Sequence, residues 1–311
     1  MRTVFCALVM LLVCTAANAA EKPASAFPVT DKVQPPSSND PDKIHIAPGS
    51  ALRLTRAQID DMFNAPNWFP DMYPPMPRIV QHGNREKQVR ACGVCHLPTG
   101  TGHDESAYMA GLPVGYFVRQ MADWKSGDRK YGGTMVAMAK VITDAESREA
   151  AEYFASLKQR PWIRVVETDV VPKTYVGPGN KRLVHPDGGN EPIANRIVEV
   201  PEDEEIVLNR DPRSGFVAYV PTGSIAKGKE LATAGDAKTV RCGICHGQTL
   251  QGLGDVPAIA GRHPNYIVRQ LWNMQNGDRV GSSAALMKQV VEQLSVDDML
   301  ALAAYSASLA P

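Results

Sequence analysis

Residues 92–96 read Cys-Gly-Val-Cys-His and residues 242–246 read Cys-Gly-Ile-Cys-His, one motif written twice at an offset of 150 positions. Further residues recur at the same offset: Gly111 with Gly261, Tyr116 with Tyr266, Arg119 with Arg269, Gln120 with Gln270, and Gly127-Asp128-Arg129 with Gly277-Asp278-Arg279. A period this long marks a duplicated domain rather than a solenoid repeat, so each copy is expected to fold around a core of its own.

The chain has 311 residues, enough for two such domains. Its 33 basic and 33 acidic residues balance, so nothing calls for nucleic acid as a partner. Residues 1–19 read as a cleavable export signal: Arg2, an apolar run over 4–13, then Ala17-Asn18-Ala19 as a small-x-small cleavage site. The mature chain is expected to start at Ala20, in the periplasm, with no transmembrane helix. An uncleaved anchor is the weaker reading, because the run is short against a bilayer core of about 30 Å. Lipidation at Cys14 is weaker still, with bulky Val13 where a small residue belongs. Cleavage removes Cys6 and Cys14, so the four remaining cysteines all lie in the two motifs and no disulfide framework has sulfur to use.

A thioredoxin-like dithiol needs one motif after a strand, and neither copy follows a β-branched run. A four-cysteine zinc site gives no reason for a histidine in both copies. Cys-x-x-Cys-His has a direct meaning: two thiols add to the haem vinyl groups and the adjacent imidazole reaches the iron. Two covalently attached haem c groups are therefore expected, held by Cys92, Cys95 and His96 and by Cys242, Cys245 and His246. Beyond Arg129 and Arg279 the offset becomes 152, which sets Met135 opposite Met287. Met109, Met121 and Met138 have no methionine counterpart. A thioether suits haem iron, so Met135 and Met287 are the expected second ligands, with Met138 one helical turn away as a competitor for the first.

Each copy reads as helical. Apolar spacing predicts helices over 116–124 and 266–274 that stop near Gly127 and Gly277. Thr143 with Glu146 and Ser295 with Asp298 predict capping boxes on a closing helix. Residues 20–75 form an N-terminal extension, partly disordered, with a short helix after Thr55. Its stretch NWFPDMYPPMP either covers the first haem or docks a partner. The copies are assigned to 76–158 and 224–311. Between them, 159–223 is a linker with β-branched runs, expected to lay a few strands across one or both copies. His82 and His263 do not recur and read as ordinary histidines.

Two Cys-x-x-Cys-His motifs, each followed by AG-x4-Y-x-VRQ, then GDR, then a methionine ahead of a capped helix, resemble the dihaem cytochrome c4 type of class I cytochromes c. The resemblance covers about 76–158 and 224–311, and not the extension or the linker. It implies a mainly α fold of two tandem cytochrome c domains, with His96 and Met135, and His246 and Met287, as axial pairs. It also implies a backbone carbonyl behind each histidine, with Pro257 placed for that and Ala107 as its counterpart. Arg119, Arg129, Arg269 and Arg279 are candidates for the haem propionates. The expected function is single-electron transfer between redox protein partners, not enzymatic catalysis. The alternatives are a dihaem peroxidase, or a subunit of a larger, membrane-associated dehydrogenase or oxidase complex.

Overall fold

The computed structural model describes residues 21–27, 40–235 and 238–311. The export signal expected over 1–19 lies outside them. The architecture is mainly α with some strand.

A two-stranded ladder of β1 (Ile44–His45) and β2 (Leu54–Thr55) leads into α1 (Arg56–Ile59), whose Thr55 and Gln58 close a capping box. The first copy follows as α2 (Arg78–Gln81), α3 (Cys92–His96), α4 (Val114–Ser126), α5 (Gly133–Val141) and α6 (Asp144–Ser156). Helix α4 ends where the sequence places its stop, with Gly127 at φ +90° as left-handed cap. The expected box of Thr143 and Glu146 starts α6. Its apolar face carries Ala150, Ala151 and Phe154 into a core shared with Phe117 and Met121 of α4.

The second copy repeats this order. Helix α8 (Ser224–Ala234) precedes the motif helix α9 (Gly243–His246), then come α10 (Pro264–Gln275), α11 (Ala285–Val291) and α12 (Val296–Ser308), with Ser295 and Asp298 boxed at the last start. Gly228 lets α8 lie directly on the Ala301 backbone of α12, where any Cβ would collide. The residue at the same place in the first copy is Arg78, and there the corresponding helix is the single turn α2.

Residues 159–223 form more than a connector. Strand β3 (Ile163–Glu167) starts the segment. Ladders pair β4 (Val170–Pro172) with β7 (Asn190–Pro192) and β5 (Thr174–Val176) with β6 (Arg182–Val184). Then β8 (Val198–Pro201), the short helix α7 (Glu204–Leu208) and β9 (Phe216–Val220) complete a three-stranded sheet in the order β3-β9-β8. Strand β9 runs parallel to β3, Ile163 opposite Phe216, and antiparallel to β8. The sheet lies across both copies. Trp162, Val207 and Phe216 enter the first core, while Ile197 and Val220 enter the second.

The described parts of the extension bury apolar residues against the rest of the fold. Ala26 and Phe27 are buried in the core of the second copy, far along the chain. Ala47, Ile59 and Trp68 form a small cluster, and the Trp68 indole donates to the Asn209 carbonyl at 2.8 Å. The rest of the fold supplies the surface these apolar residues bury against.

Candidate haem sites

One turn of helix places Cys92, Cys95 and His96 on one side of α3, by the i, i+3, i+4 spacing. The His96 imidazole is buried and its Nδ1–H donates to the Ala107 carbonyl at 2.9 Å. In the second copy His246 Nδ1 donates to the Pro257 carbonyl at 2.8 Å. Both bonds match the expected carbonyls, and proline is not required for the geometry. With Nδ1–H committed, the lone pair on Nε2 is left to face a metal. Burial lowers the pKa of both rings, the carbonyl bond opposing it, so each is neutral, as a ligand must be.

None of the four motif cysteines forms a disulfide. Burial pushes Cys92 up to about 12 and Cys242 up to about 11, with the neighbouring motif cysteine adding to each. Protonated thiols at neutral pH are poor redox dithiols. Cys92 packs on the first core and Cys242 on the second, so the four cannot join in one zinc site. Among the described residues no group of three or more His, Cys, Asp or Glu is arranged to hold a metal ion.

Met135, on α5, packs on the same core as Cys92; Met287, on α11, packs on the same core as Cys242. Met138 packs on the first core as well, and its sulfur accepts the Arg90 backbone N–H at 3.4 Å. Each copy thus brings one motif cysteine and a thioether onto one core, beside the second motif cysteine and a neutral imidazole on the same turn of helix. That donor set fits haem c.

The four arginines divide. Arg119 pairs with Asp255 at 2.8 Å, and Arg269 is taken by the Ala26 and Asp104 carbonyls and Glu105. Arg129 and Arg279 cross between the copies. Their backbones form an antiparallel bridge, with Lys130 N donating to Asp278 O at 2.8 Å and Val280 N to Asp128 O at 2.7 Å. Arg129 donates to Gln120 in its own copy and to Tyr266 and Gln270 opposite. Arg279 mirrors it on Gln270, Tyr116 and Gln120. Both guanidiniums are buried, hydrogen-bond only neutral side chains, and leave Arg279 Nε without a partner. The carboxylate of Asp123 interacts electrostatically with both guanidiniums.

Sequence reasoning missed the residues that close the first motif. Arg210, with its backbone at φ +53°, donates to the Val94 carbonyl inside Cys-x-x-Cys-His and reaches the Met62 sulfur at 3.7 Å. It also missed a buried acid–base group between the copies: Glu199 bonded to His263 at 2.7 Å, and the loop His103-Asp104-Glu105. His263 is thus an ordinary histidine toward iron but not an idle one, and the exposed His82 meets Asn64. No repeat or spacing announces either feature.

No family model matches the chain. A thiosulfate dehydrogenase electron acceptor of Thiomonas intermedia is 25% identical over 227 residues, 71% of this chain and 79% of that protein. Cytochrome c-554(548) of Halomonas halodenitrificans is 36% identical over 78 residues, which span 94% of it and 25% of this chain. The chain belongs to the c-type cytochromes. The cytochrome carries two covalently bound haem c groups and works in electron transfer. Among solved structures, thiosulfate dehydrogenase (TsdBA) from Marichromatium purpuratum shares its fold, with a TM-score of 0.52 and 24% identity over 75% of this cytochrome and 39% of that chain. Among the described residues no helix of the cytochrome is long and apolar enough to cross a membrane.

Proposed function

We propose that the cytochrome is a periplasmic carrier of single electrons with no catalysis of its own. In this reading His96 with Met135 and His246 with Met287 would ligate the two irons, and Cys92, Cys95, Cys242 and Cys245 would hold the porphyrins by thioether bonds. When bound, haem supplies reversible one-electron iron(III)/iron(II) chemistry. The chain's part would be to fix each imidazole through the Ala107 or Pro257 carbonyl, to exclude water with two separate cores, and to bring a thioether to each core. Domains over 76–158 and 224–311, with 159–223 between them, belong to the same proposal.

The carrying observation is the likeness of the two copies: each locks its histidine on an equivalent carbonyl and packs a methionine on the core of its motif cysteine. A dihaem peroxidase needs one haem with an opening for peroxide, and hence unlike copies. The bond to Met138 sulfur favours Met135 as first-copy ligand.

For the partner, the similarity to a thiosulfate dehydrogenase electron acceptor favours a dehydrogenase as donor. Optical spectra of the oxidised and reduced holoprotein, with haem stoichiometry and added peroxide, test the reading. Two low-spin haems, a near-infrared methionine-to-iron band and no peroxide turnover are expected. A high-spin haem that consumes peroxide would replace the carrier with an enzyme.

A further inference from the structure

The duplication contains its own control for what covers each motif. In the first copy Val94 is 1% exposed and packs with Ala65 and Ala91, with Met62 and Cys95 against them. In the second copy the residue at the same place, Ile244, is 54% exposed, Cys245 is exposed, and Gly243 has only Gln248 near it. Val240 and Leu253, 43% and 62% exposed, extend this apolar surface. Leu253 is held at the motif turn because Gly252 N donates to the His246 carbonyl at 2.8 Å. Over residues 239–255 the charges are exposed Arg241 and Asp255, and the Asp255 carboxylate is paired with Arg119 at 2.8 Å.

We propose that this bare face of the second motif is where the cytochrome exchanges electrons with a partner protein, one that presents apolar side chains inside a rim of carboxylates. The inference rests on the electron-carrier reading. The cover of the first motif shows what such a face accepts, namely small apolar and thioether side chains seated on the Cys-x-x-Cys-His turn. In the first copy the chain supplies them from residues 62–65; in the second another molecule must. Asp255 is engaged by Arg119, so Arg241 carries the charge this face offers, selects an acidic rim and speeds encounter. A few exposed apolar side chains make a small contact, suited to a partner that must leave after each exchange. One electron crosses, the partner is oxidised, and the cytochrome goes from iron(III) to iron(II) with no bond made or broken; delivery is the reverse. The first copy, closed by its own chain, is served through the second.

The test uses holoprotein and plastocyanin, an acidic blue-copper protein, as probe, with electron exchange followed by stopped flow in whichever direction is downhill. Ile244→Glu and Leu253→Glu are each expected to lower the second-order rate about tenfold or more, and Arg241→Glu to remove its dependence on salt. Leu52→Glu, at an exposed apolar side chain of the N-terminal extension, should leave the rate unchanged. Midpoint potentials and spectra should stay at wild-type values in all four. If Ile244→Glu disturbs haem attachment, Leu253→Glu, outside the motif, decides. Wild-type rates in the Leu253 and Ile244 variants, or a slowed rate in Leu52→Glu, would overturn the proposal. Loss of reversible one-electron titration in wild-type protein would instead overturn the carrier reading.

Discussion

Replacing Arg129 with alanine should loosen the junction of the two copies by an amount the structure lets one work out. The guanidinium is 4% exposed and donates to Gln120 at 3.0 Å, Tyr266 at 3.1 Å and Gln270 at 2.8 Å, with the Trp124 ring 3.8 Å away. Both amide oxygens keep a second donor from Arg279, at 2.7 and 3.0 Å, so only the Tyr266 hydroxyl is left without its partner. One hydrogen bond to a charged group contributes about 1.5–3 kcal/mol, and a desolvated cation–π contact about 2 kcal/mol. Relief of repulsion between two buried guanidiniums offsets part of this. The expected loss is about 3 kcal/mol, which lowers Tm by roughly 5–10 °C in a chain of this size. Calorimetry of the holoprotein measures it, and the single endotherm should split as the copies begin to melt separately. Arg129→Lys keeps the charge but not the fork, and should fall between. A Tm within about 2 °C of wild type and one endotherm in Arg129→Ala would refute the reasoning.

Met135→Ala should remove the near-infrared methionine band of one haem and keep that of the other, while Met138→Ala keeps both; the reverse would exchange their roles. Glu105, beside Arg269 at 3.4 Å, has its pKa lifted by burial, and further by Asp104 and Glu199, to about 8. Its folded pKa lies above the ordinary value of 4.5, so its contribution is full below that pH and is lost as pH rises through about 8. Tm should therefore decline from pH 5 toward 8.5, and Glu105→Gln should flatten the slope. Asp298 behaves oppositely. Burial opposes its charge, but Lys227 and Ser295 outweigh burial and hold it at about 2, so its contribution is present above about pH 4 and is lost as pH falls toward 2. Asp298→Asn should cost about 1–2 kcal/mol at pH 7 after allowance for solvent screening, and less at pH 2.5, by urea titration.

Local rules carried the haem domains. Helices α4, α6, α10 and α12 were legible because their apolar spacing, stop glycines and capping boxes lie within a few residues of one another, and the repeat doubled each signal. The carbonyls behind His96 and His246 were legible from the motif and its resemblance. What could not be read depends on partners remote in sequence. Arg129 and Arg279 look like surface cations until the copies meet, and Arg210 lies more than a hundred residues from the Val94 carbonyl it bonds. The prolines of the extension suggested loose chain, yet Phe27 and Trp68 each bury against residues far along the sequence. Strands over 163–220 were visible as β-branched runs, but the parallel pairing of β3 with β9 has no local signature.

That pairing bears on how electrons pass within the molecule. Ile163 packs on the first core, Val165 on the second and Val166 on the cluster between them, within one strand of five residues. Its neighbour does the same through Phe216, Val220 and Val217. The copies are therefore not beads on a string whose collisions time the transfer. Exchange between the two irons should be ungated, set by a fixed separation, and its rate should not change when glycerol thickens the solvent.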